Sequence, residues 1–215
     1  MSFREAMQKS DHISNIISPE LVVDAYRQGY FPMAHGKNGP IQFFYYEPRG
    51  ILPLDDSFIV RRSLHQIIKK KKFEIRIDMA FEEVIRACAR HKELPDQGIW
   101  LSEEMIAIYS ELHKMGIAHS VEAWSNSENG ATLQGGLYGL ALGSAFCGES
   151  MFSYAPFASQ VALVALVEHL RIQGFTLLDA QMESEHLHQF GMKTVSQEEY
   201  LELLHEARDK HCFWN

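Results

Sequence analysis

The sequence predicts a fold of the α/β or α+β class, in which helices and strands alternate around a mixed sheet. Helical spacing of apolar residues, as in 102–114, gives way repeatedly to short runs of strand-type residues, as in 119–124 and 175–179. The chain has 215 residues, of which 46% are hydrophobic, so it can bury a core without cross-links. These observations exclude a disordered or low-complexity chain.

The N-terminal part differs in composition from the rest. A short helix is predicted after Ser18, with Pro19 in its first turn and Gly29 as its stop. Residues 29–57 contain four of the seven prolines, interleaved with aromatic side chains. Such a segment is typical of a small, turn-rich unit. We therefore expect an N-terminal subdomain over residues 1–57, with a boundary near Ser57, and a larger domain over residues 58–215.

The larger domain is predicted to alternate helices and strands to its end. Helices are expected over 59–70, from a cap at Asp78 to His91, from a cap at Ser102 to Lys114, from Ser159 to Gly174, near 184–190 and from Gln197 onward. Strands are expected at 73–77, 119–124, 175–179 and 192–196, and residues 131–152 read as two strands joined at Gly143-Ser144. The glycines at 135, 136 and 139 do not form a dinucleotide fingerprint and favour close approach of a ligand or a second backbone.

Charge is unevenly distributed along the chain. The 20 basic and 28 acidic residues give a net charge of −8, yet residues 61–76 contain seven basic side chains and one acidic side chain, a local +6. We call these seven the basic island: Arg61, Arg62, Lys69, Lys70, Lys71, Lys72 and Arg76. Such an island can bind a polyanion locally, while the alternative is a solvated helix end.

Several classes of protein are disfavoured by spacing. Three cysteines without a C-x-x-C pair disfavour a disulfide framework and fit a reducing cytoplasm. The eleven histidines lack the spacing of a metal site, and no nucleophile elbow of the G-x-S-x-G type occurs. No apolar run has the length of a membrane span, and the N-terminus lacks an apolar signal core. We therefore expect a cytoplasmic protein with no metal and no cofactor.

Polar side chains interrupt two apolar strands. Glu149 lies between Phe146 and Met151, and Asp179 and Gln181 lie two residues apart at the carboxyl end of a predicted strand. Ligands usually bind at strand ends in such sheets, and a buried carboxylate is costly unless it is paired. The alternative is that these groups are caps or satisfied hydrogen-bonding groups of the core.

From Ser18 to about Leu204, ordered blocks of the sequence resemble the leucyl/phenylalanyl-tRNA–protein transferases. The most specific blocks are AYRQGYFPMA (25–34), PRGILPL (48–54), LQGGLYGLALG (133–143), FCGESMFS (146–153) and LLDAQ (177–181), accompanied by Trp100. The resemblance implies transfer of Leu, Phe or Met from charged tRNA to the N-terminal amine of a protein. It also implies an N-terminal Lys or Arg on the acceptor, which is thereby marked for N-end-rule degradation. A domain like the N-acetyltransferase fold is implied as well, and we expect a monomer.

The resemblance also implies roles for particular residues. Asp179 and Gln181 match the catalytic pair, with the Gln181 carbonyl orienting the amine while Asp179 holds its NH2 group. Glu149 matches a carboxylate of the substrate pocket that could hold an ammonium group. An apolar slot would be lined by Leu137, Phe146, Met151, Leu166 and Leu178. The basic island would bind the tRNA acceptor stem through phosphates.

Departures from the family pattern and rival functions remain open at this stage. Phe43-Phe44 stands where many members have a Trp pair, so a hydrogen bond from an indole N–H to the aspartate is absent. That bond is either dispensable or replaced, for example by one from Tyr45 or Tyr46. Ala180 replaces a cysteine, which argues against thiol chemistry. The main rival is an acyl-CoA-dependent N-acyltransferase of the same fold. The pyrophosphate-binding motif of such enzymes is not found, since the nearest approach, Arg171-x-x-Gly174-x-Thr176, ends a predicted helix instead of beginning one. A non-catalytic tRNA- or peptide-binding module is the other.

Overall fold

The computed structural model describes residues 17–34, 39–91, 101–128 and 130–214. Its helices are α1 (Pro19–Tyr26), α2 (Arg62–Lys69), α3 (Phe81–His91), α4 (Glu103–Lys114), α5 (Ala158–Gln173), α6 (Glu185–His188) and α7 (Gln197–Arg208). Its strands are β1 (Phe31–Ala34), β2 (Ile41–Phe44), β3 (Arg49–Leu52), β4 (Glu74–Ile77), β5 (Ala118–Ser127), β6 (Gly130–Leu142), β7 (Ala145–Ser153), β8 (Leu177–Gln181) and β9 (Lys193–Val195).

A seven-stranded mixed sheet, in the order β4-β5-β6-β7-β8-β3-β9, dominates the fold. Strands β7 and β8 pair in parallel and the other neighbours are antiparallel, which confirms the predicted mixed sheet. The parallel pairing extends only from Ala145–Leu177 to Cys147–Asp179, although β7 continues to Ser153. The two strands therefore separate beyond Cys147 and leave a gap in the sheet.

Helices cover both faces of this sheet. On one face, α1, α3 and α4 enclose a core that includes Tyr26, Tyr109 and Tyr138. On the other face, α5 connects β7 to β8 and packs on β5, β6 and β7, with α2 behind it. Gly135 permits this packing, since a Cβ there would lie 2.6 Å from the Ala158 Cβ and 2.9 Å from the Ser159 nitrogen. The expected close approach of a second backbone is thus confirmed at Gly135.

Serine caps explain the starts of three of the seven described helices, and the expected cap of a fourth is corrected. Ser18, Ser102 and Ser196 accept hydrogen bonds from the first turns of α1, α4 and α7. Asp78, the expected cap of α3, instead accepts from the Ser120 backbone and from side chains outside that helix. Glu122 accepts from the nitrogens of residues 79 and 80 at that end of α3. The sequence pattern could not show that a strand carboxylate would reach this end.

The predicted division near Ser57 remains a prediction, but the sheet crosses it. Strand β3 precedes Ser57 and yet lies between β8 and β9 in the larger sheet. Only β1 and β2 form a separate two-stranded sheet within the described residues. Residues 1–16 of the expected subdomain, and Trp100, lie outside the described ranges. Among the helices described, none combines the length and the apolarity that a membrane crossing requires.

Candidate active site

A cavity of about 600 Å³ occupies the gap where β7 and β8 separate. Its walls come from β6, β7, α5, β8 and the segment that follows β8. Apolar lining residues include Leu52, Leu137, Met151, Leu163, Leu166, Leu178 and Leu187, and polar ones include Tyr138, Glu149, Ser150, Asp179, Gln181 and His186. The chain thus places two separate polar sequence signals, Glu149 and the Asp179–Gln181 pair, on one cavity with an apolar wall.

Arg49 and Asp179 form a completely buried ion pair, with both side chains at 0% exposure. The Arg49 guanidinium donates from Nε to Asp179 Oδ1 at 2.8 Å and from Nη2 to Oδ2 at 2.6 Å. Tyr200 donates its hydroxyl to Asp179 Oδ2 at 2.9 Å. Burial by itself lowers the pKa of Arg49, but the Asp179 charge raises it above its ordinary value. Asp179 is therefore a buried anchor, and donors occupy both of its carboxylate oxygens.

Gln181 is held at the cavity by two hydrogen bonds in a left-handed backbone conformation, with φ of 58°. Its backbone N–H donates to Asp179 Oδ1 at 2.8 Å, and its side-chain Nε2 donates to Glu149 Oε1 at 2.7 Å. The expectation that Asp179 holds the Gln181 NH2 group is therefore wrong. Glu149 holds that group, because the left-handed turn directs the side chain away from Asp179.

Glu149 occupies a bulge on β7. Tyr138 pairs with Ser150 and Gly139 with Gly148, so Glu149 is the extra residue between them. Its Oε2 accepts from the Tyr109 hydroxyl at 3.0 Å, and that hydroxyl lies 2.6 Å from the Tyr26 hydroxyl. Burial raises the pKa of Glu149 to about 7, and the hydrogen bonds from these groups moderate the rise. The carboxyl group can thus change protonation state near neutral pH.

Comparison of the sequence with known proteins identifies the family of this chain. Residues 51–205 match the family model described as leucyl/phenylalanyl-tRNA protein transferase, and residues 15–48 match the model of its N-terminal domain. The transferase of that name from Akkermansia muciniphila is 48% identical over 194 residues, covering 90% of this chain and 97% of the relative. Relatives of the same name from Herpetosiphon aurantiacus and Rubrobacter xylanophilus are 48% and 47% identical over 191 residues, covering 89% of this chain and 94% and 95% of the relatives.

The chain belongs to the leucyl/phenylalanyl-tRNA–protein transferase family. The predicted resemblance is confirmed, and with it the class of enzyme, a tRNA-dependent aminoacyltransferase. A solved structure described as FemX is similar in fold, with a TM-score of 0.53 and 12% identity. That similarity covers 81% of this chain, which spans 65% of the FemX chain. It supports a mixed α/β architecture and nothing more specific.

The predicted slot residues divide into those that reach the cavity and one that does not. Leu137, Met151, Leu166 and Leu178 line it as expected. Phe146 is not among the lining residues and is fully buried, with its ring 5.3 Å from that of Trp214. Its expected place in the slot is wrong, because the side chain packs against Trp214 in the core.

The basic island extends from Arg61, just before α2, through the segment between α2 and β4, to Arg76 within β4. Six of its members, Arg61, Arg62, Lys69, Lys70, Lys71 and Lys72, are exposed. Arg76 is half-buried, pairs with Glu74 at 2.8 Å and lies 4.8 Å from the centre of the Trp124 ring. Helix α2 packs against α5, whose residues also line the cavity. Helix α5 thus contacts α2, which carries part of the basic island, and also lines the cavity.

Four side chains that order the site were not predicted: Arg49, Tyr200, Tyr26 and Tyr109. No local pattern in the sequence distinguishes a buried arginine or tyrosine from an exposed one. The suggestion that Tyr45 or Tyr46 donates to the aspartate is wrong, because both are largely exposed and Arg49 and Tyr200 fill that role.

Two further features test the alternatives. Within the described ranges, no group of three or more His, Cys, Asp or Glu side chains is placed to hold a metal ion. Gly174 ends α5 with its N–H on the Arg171 carbonyl, so the Arg171–Gly174 segment is a helix C-terminus. Helix amides there point away from any phosphate, and this segment does not support the acyl-CoA alternative. A larger groove of about 750 Å³ beside α3 contains none of the predicted site residues.

Proposed function

We propose that the chain transfers leucine, phenylalanine or methionine from charged tRNA to the N-terminal α-amine of an acceptor protein in the cavity between β7 and β8. The observation that carries the proposal is the Gln181 amide, fixed by Glu149 at the end of an apolar slot in a chain of this family. We further propose an acceptor with N-terminal Lys or Arg, which directs it to N-end-rule degradation.

The reaction is the aminolysis of an activated ester. The neutral amine nitrogen forms a bond to the ester carbonyl carbon, and the bond from that carbon to the ribose oxygen breaks. The leaving ribose oxygen takes up the proton that the amine gives up and becomes a hydroxyl. Since an N-terminal amine has a pKa near 7.7–8.0, about a tenth of acceptors are neutral at pH 7. Alignment of the amine is therefore the main requirement.

Gln181 suits this alignment because its amide orientation is set. While Nε2 donates to ionised Glu149, the side-chain carbonyl remains the acceptor for an amine N–H. Glutamine has negligible basicity, so we assign it orientation and not proton removal. We assign Asp179 the positioning of Gln181 through the backbone N–H, because Arg49 and Tyr200 occupy its carboxylate.

The apolar wall accounts for the expected donors. Leu137, Met151, Leu166 and Leu178 would surround the side chain of the transferred amino acid. Such a slot discriminates by about 1–3 kcal/mol per methylene, so leucine, phenylalanine and methionine can all be accepted. Glu149 would attract the positive charge of an α-ammonium group when it is ionised.

The proposal also covers the binding of tRNA, the arrangement of the sheet and the state of the protein in the cell. Phosphates of the tRNA acceptor stem would contact the exposed part of the basic island, which gives affinity without sequence readout. The separating parallel strands β7 and β8 support an N-acetyltransferase-like arrangement of the sheet. A two-domain division near Ser57, a monomeric state and a cytoplasmic location belong to the same proposal.

Radiolabelled leucyl-tRNA incubated with peptides that differ only in their first residue tests donor, reaction and acceptor together. We expect label on peptides with N-terminal Lys or Arg, and none on the same peptides after N-acetylation. A parallel reaction uses labelled acetyl-CoA as the donor. Transfer from acetyl-CoA but not from leucyl-tRNA would reject the proposal in favour of the acyl-CoA alternative.

A further inference from the structure

Three buried polar atoms that lack a partner belong to residues that line the proposed transfer cavity. Among the described residues, four buried side-chain oxygen or nitrogen atoms have no hydrogen-bond partner. Three of them, Tyr138 Oη, Ser150 Oγ and His186 Nε2, belong to residues that line this cavity. An unpaired buried donor or acceptor costs about 1–3 kcal/mol. Three such atoms on residues around one cavity favour a ligand that carries polar groups.

The tautomer of His186 follows from its neighbour. The amide Nε2 of Gln189 lies 3.3 Å from His186 Nδ1 and also donates to the His186 backbone carbonyl at 2.7 Å. Since an amide nitrogen can only donate, Nδ1 is the acceptor and the ring proton is on Nε2. Burial lowers the pKa of His186, which keeps the ring neutral at pH 7. His186, a residue of the cavity wall, thus carries a neutral, buried N–H donor without a partner.

The chemistry of this donor selects its ligand. A neutral N–H binds an oxygen lone pair, so an ammonium group is excluded. The neighbouring carboxylate of Glu183 is already paired with His188 at 2.7 Å. The donor ester and the acceptor peptide each bring one neutral carbonyl oxygen into the cavity. These are the ester carbonyl of the donor and the first peptide carbonyl of the acceptor.

We propose that His186 is a substrate-binding residue of this site, donating its Nε2–H to a substrate carbonyl oxygen. This inference rests on the proposed aminoacyl transfer. Helix α6 begins four residues after Gln181, so the donor and the amide reach the same cavity from one short segment of chain. The other two unpartnered hydroxyls, of Tyr138 and Ser150, belong to lining residues that pair across β6 and β7.

The test compares two substitutions that differ in one donor. His186→Phe removes the N–H but retains an aromatic ring against Phe190, whose centre lies 6.0 Å from that of His186. His186→Gln supplies an amide N–H at similar reach. His188→Phe is the matched control, because His188 lies on the same helix and is not among the lining residues. Steady-state transfer is measured with leucyl-tRNA varied at saturating peptide and with peptide varied at saturating leucyl-tRNA.

We expect kcat/KM of the His186→Phe variant to fall by about 10-fold to 100-fold, the range for one lost hydrogen bond to a substrate. The His186→Gln variant should recover most of it, and His188→Phe should stay within about twofold of the wild type. A fall in kcat with unchanged KM identifies the ester carbonyl, on which charge develops during attack. A rise in KM for the peptide alone identifies the acceptor carbonyl.

Two results would overturn the inference. One is wild-type kinetics for His186→Phe in an active enzyme, and the other is a loss that His186→Gln fails to restore. Thermal unfolding checks that each variant is folded, and His186→Met replaces the phenylalanine variant if that one does not fold. A wild-type enzyme that transfers nothing from leucyl-tRNA would refute the proposed function itself, which is a separate outcome.

Discussion

Glu149 should make the stability of this chain fall as pH rises towards neutrality. The folded chain raises the pKa of this carboxyl from its ordinary 4.5 to about 7, so between those values the folded state binds more protons than the unfolded state. The stabilising contribution is complete below pH 4.5 and is lost as pH rises through 7. A difference of about 2.5 pKa units corresponds to about 3 kcal/mol. Most of that loss falls between about pH 5 and 8.

Urea unfolding of the wild type and Glu149→Gln at pH 5 and pH 8 isolates this contribution. Glutamine cannot titrate, so the stability of the wild type relative to the variant should be about 2–3 kcal/mol greater at pH 5 than at pH 8. The control is Glu202→Gln, an exposed glutamate on α7, for which we expect no such change. An equal gap between wild type and Glu149→Gln at both pH values would refute the raised pKa of Glu149 and the burial argument behind it.

Three other perturbations test separate parts of the structure. Arg49→Met leaves Asp179 buried and unpaired, so we expect a loss of about 3–5 kcal/mol in urea unfolding, and a loss below about 1 kcal/mol would contradict the buried ion pair. Burial alone would raise the pKa of Asp78, but hydrogen bonds led by that from His119 lower it, so Asp78→Asn should cost about 2 kcal/mol at pH 7. That cost should shrink as pH falls below about 4, and a pH-independent cost would contradict the charge. Neutralising Lys69–Lys72 should weaken tRNA binding and reduce the slope of log K against log salt by about one for each phosphate that the lysines no longer bind; unchanged binding would leave these lysines as a solvated helix end.

Sequence reasoning locates the site through polar residues placed where apolar ones are expected. Glu149, Asp179 and Gln181 interrupt apolar strands, and that local signal leads to one cavity. The partner of Asp179 gives no such signal, because Arg49 lies 130 residues earlier and reaches it only through the insertion of β3 beside β8. Long-range pairing of this kind depends on strand order, which local patterns do not encode.

Errors of detail arise where the backbone departs from regular geometry. Asp179 and Gln181 are expected to share a face because they are two residues apart, but the positive φ of Gln181 turns its side chain to Glu149. The bulge at Glu149 likewise has no sequence signature. The family resemblance suggests the slot for Phe146, whereas packing against Trp214 in the core decides its place.

Single-turnover transfer from radiolabelled leucyl-tRNA to a peptide with N-terminal arginine, by the wild type and by Gln181→Met, tests the central claim most directly. Methionine preserves the length of the side chain and removes the amide that Glu149 holds at the cavity. We predict that the variant transfers at least about 100-fold more slowly while it binds leucyl-tRNA within severalfold of the wild type. Transfer by Gln181→Met at the wild-type rate would show that this amide does not align the amine, and the account of the site would be wrong.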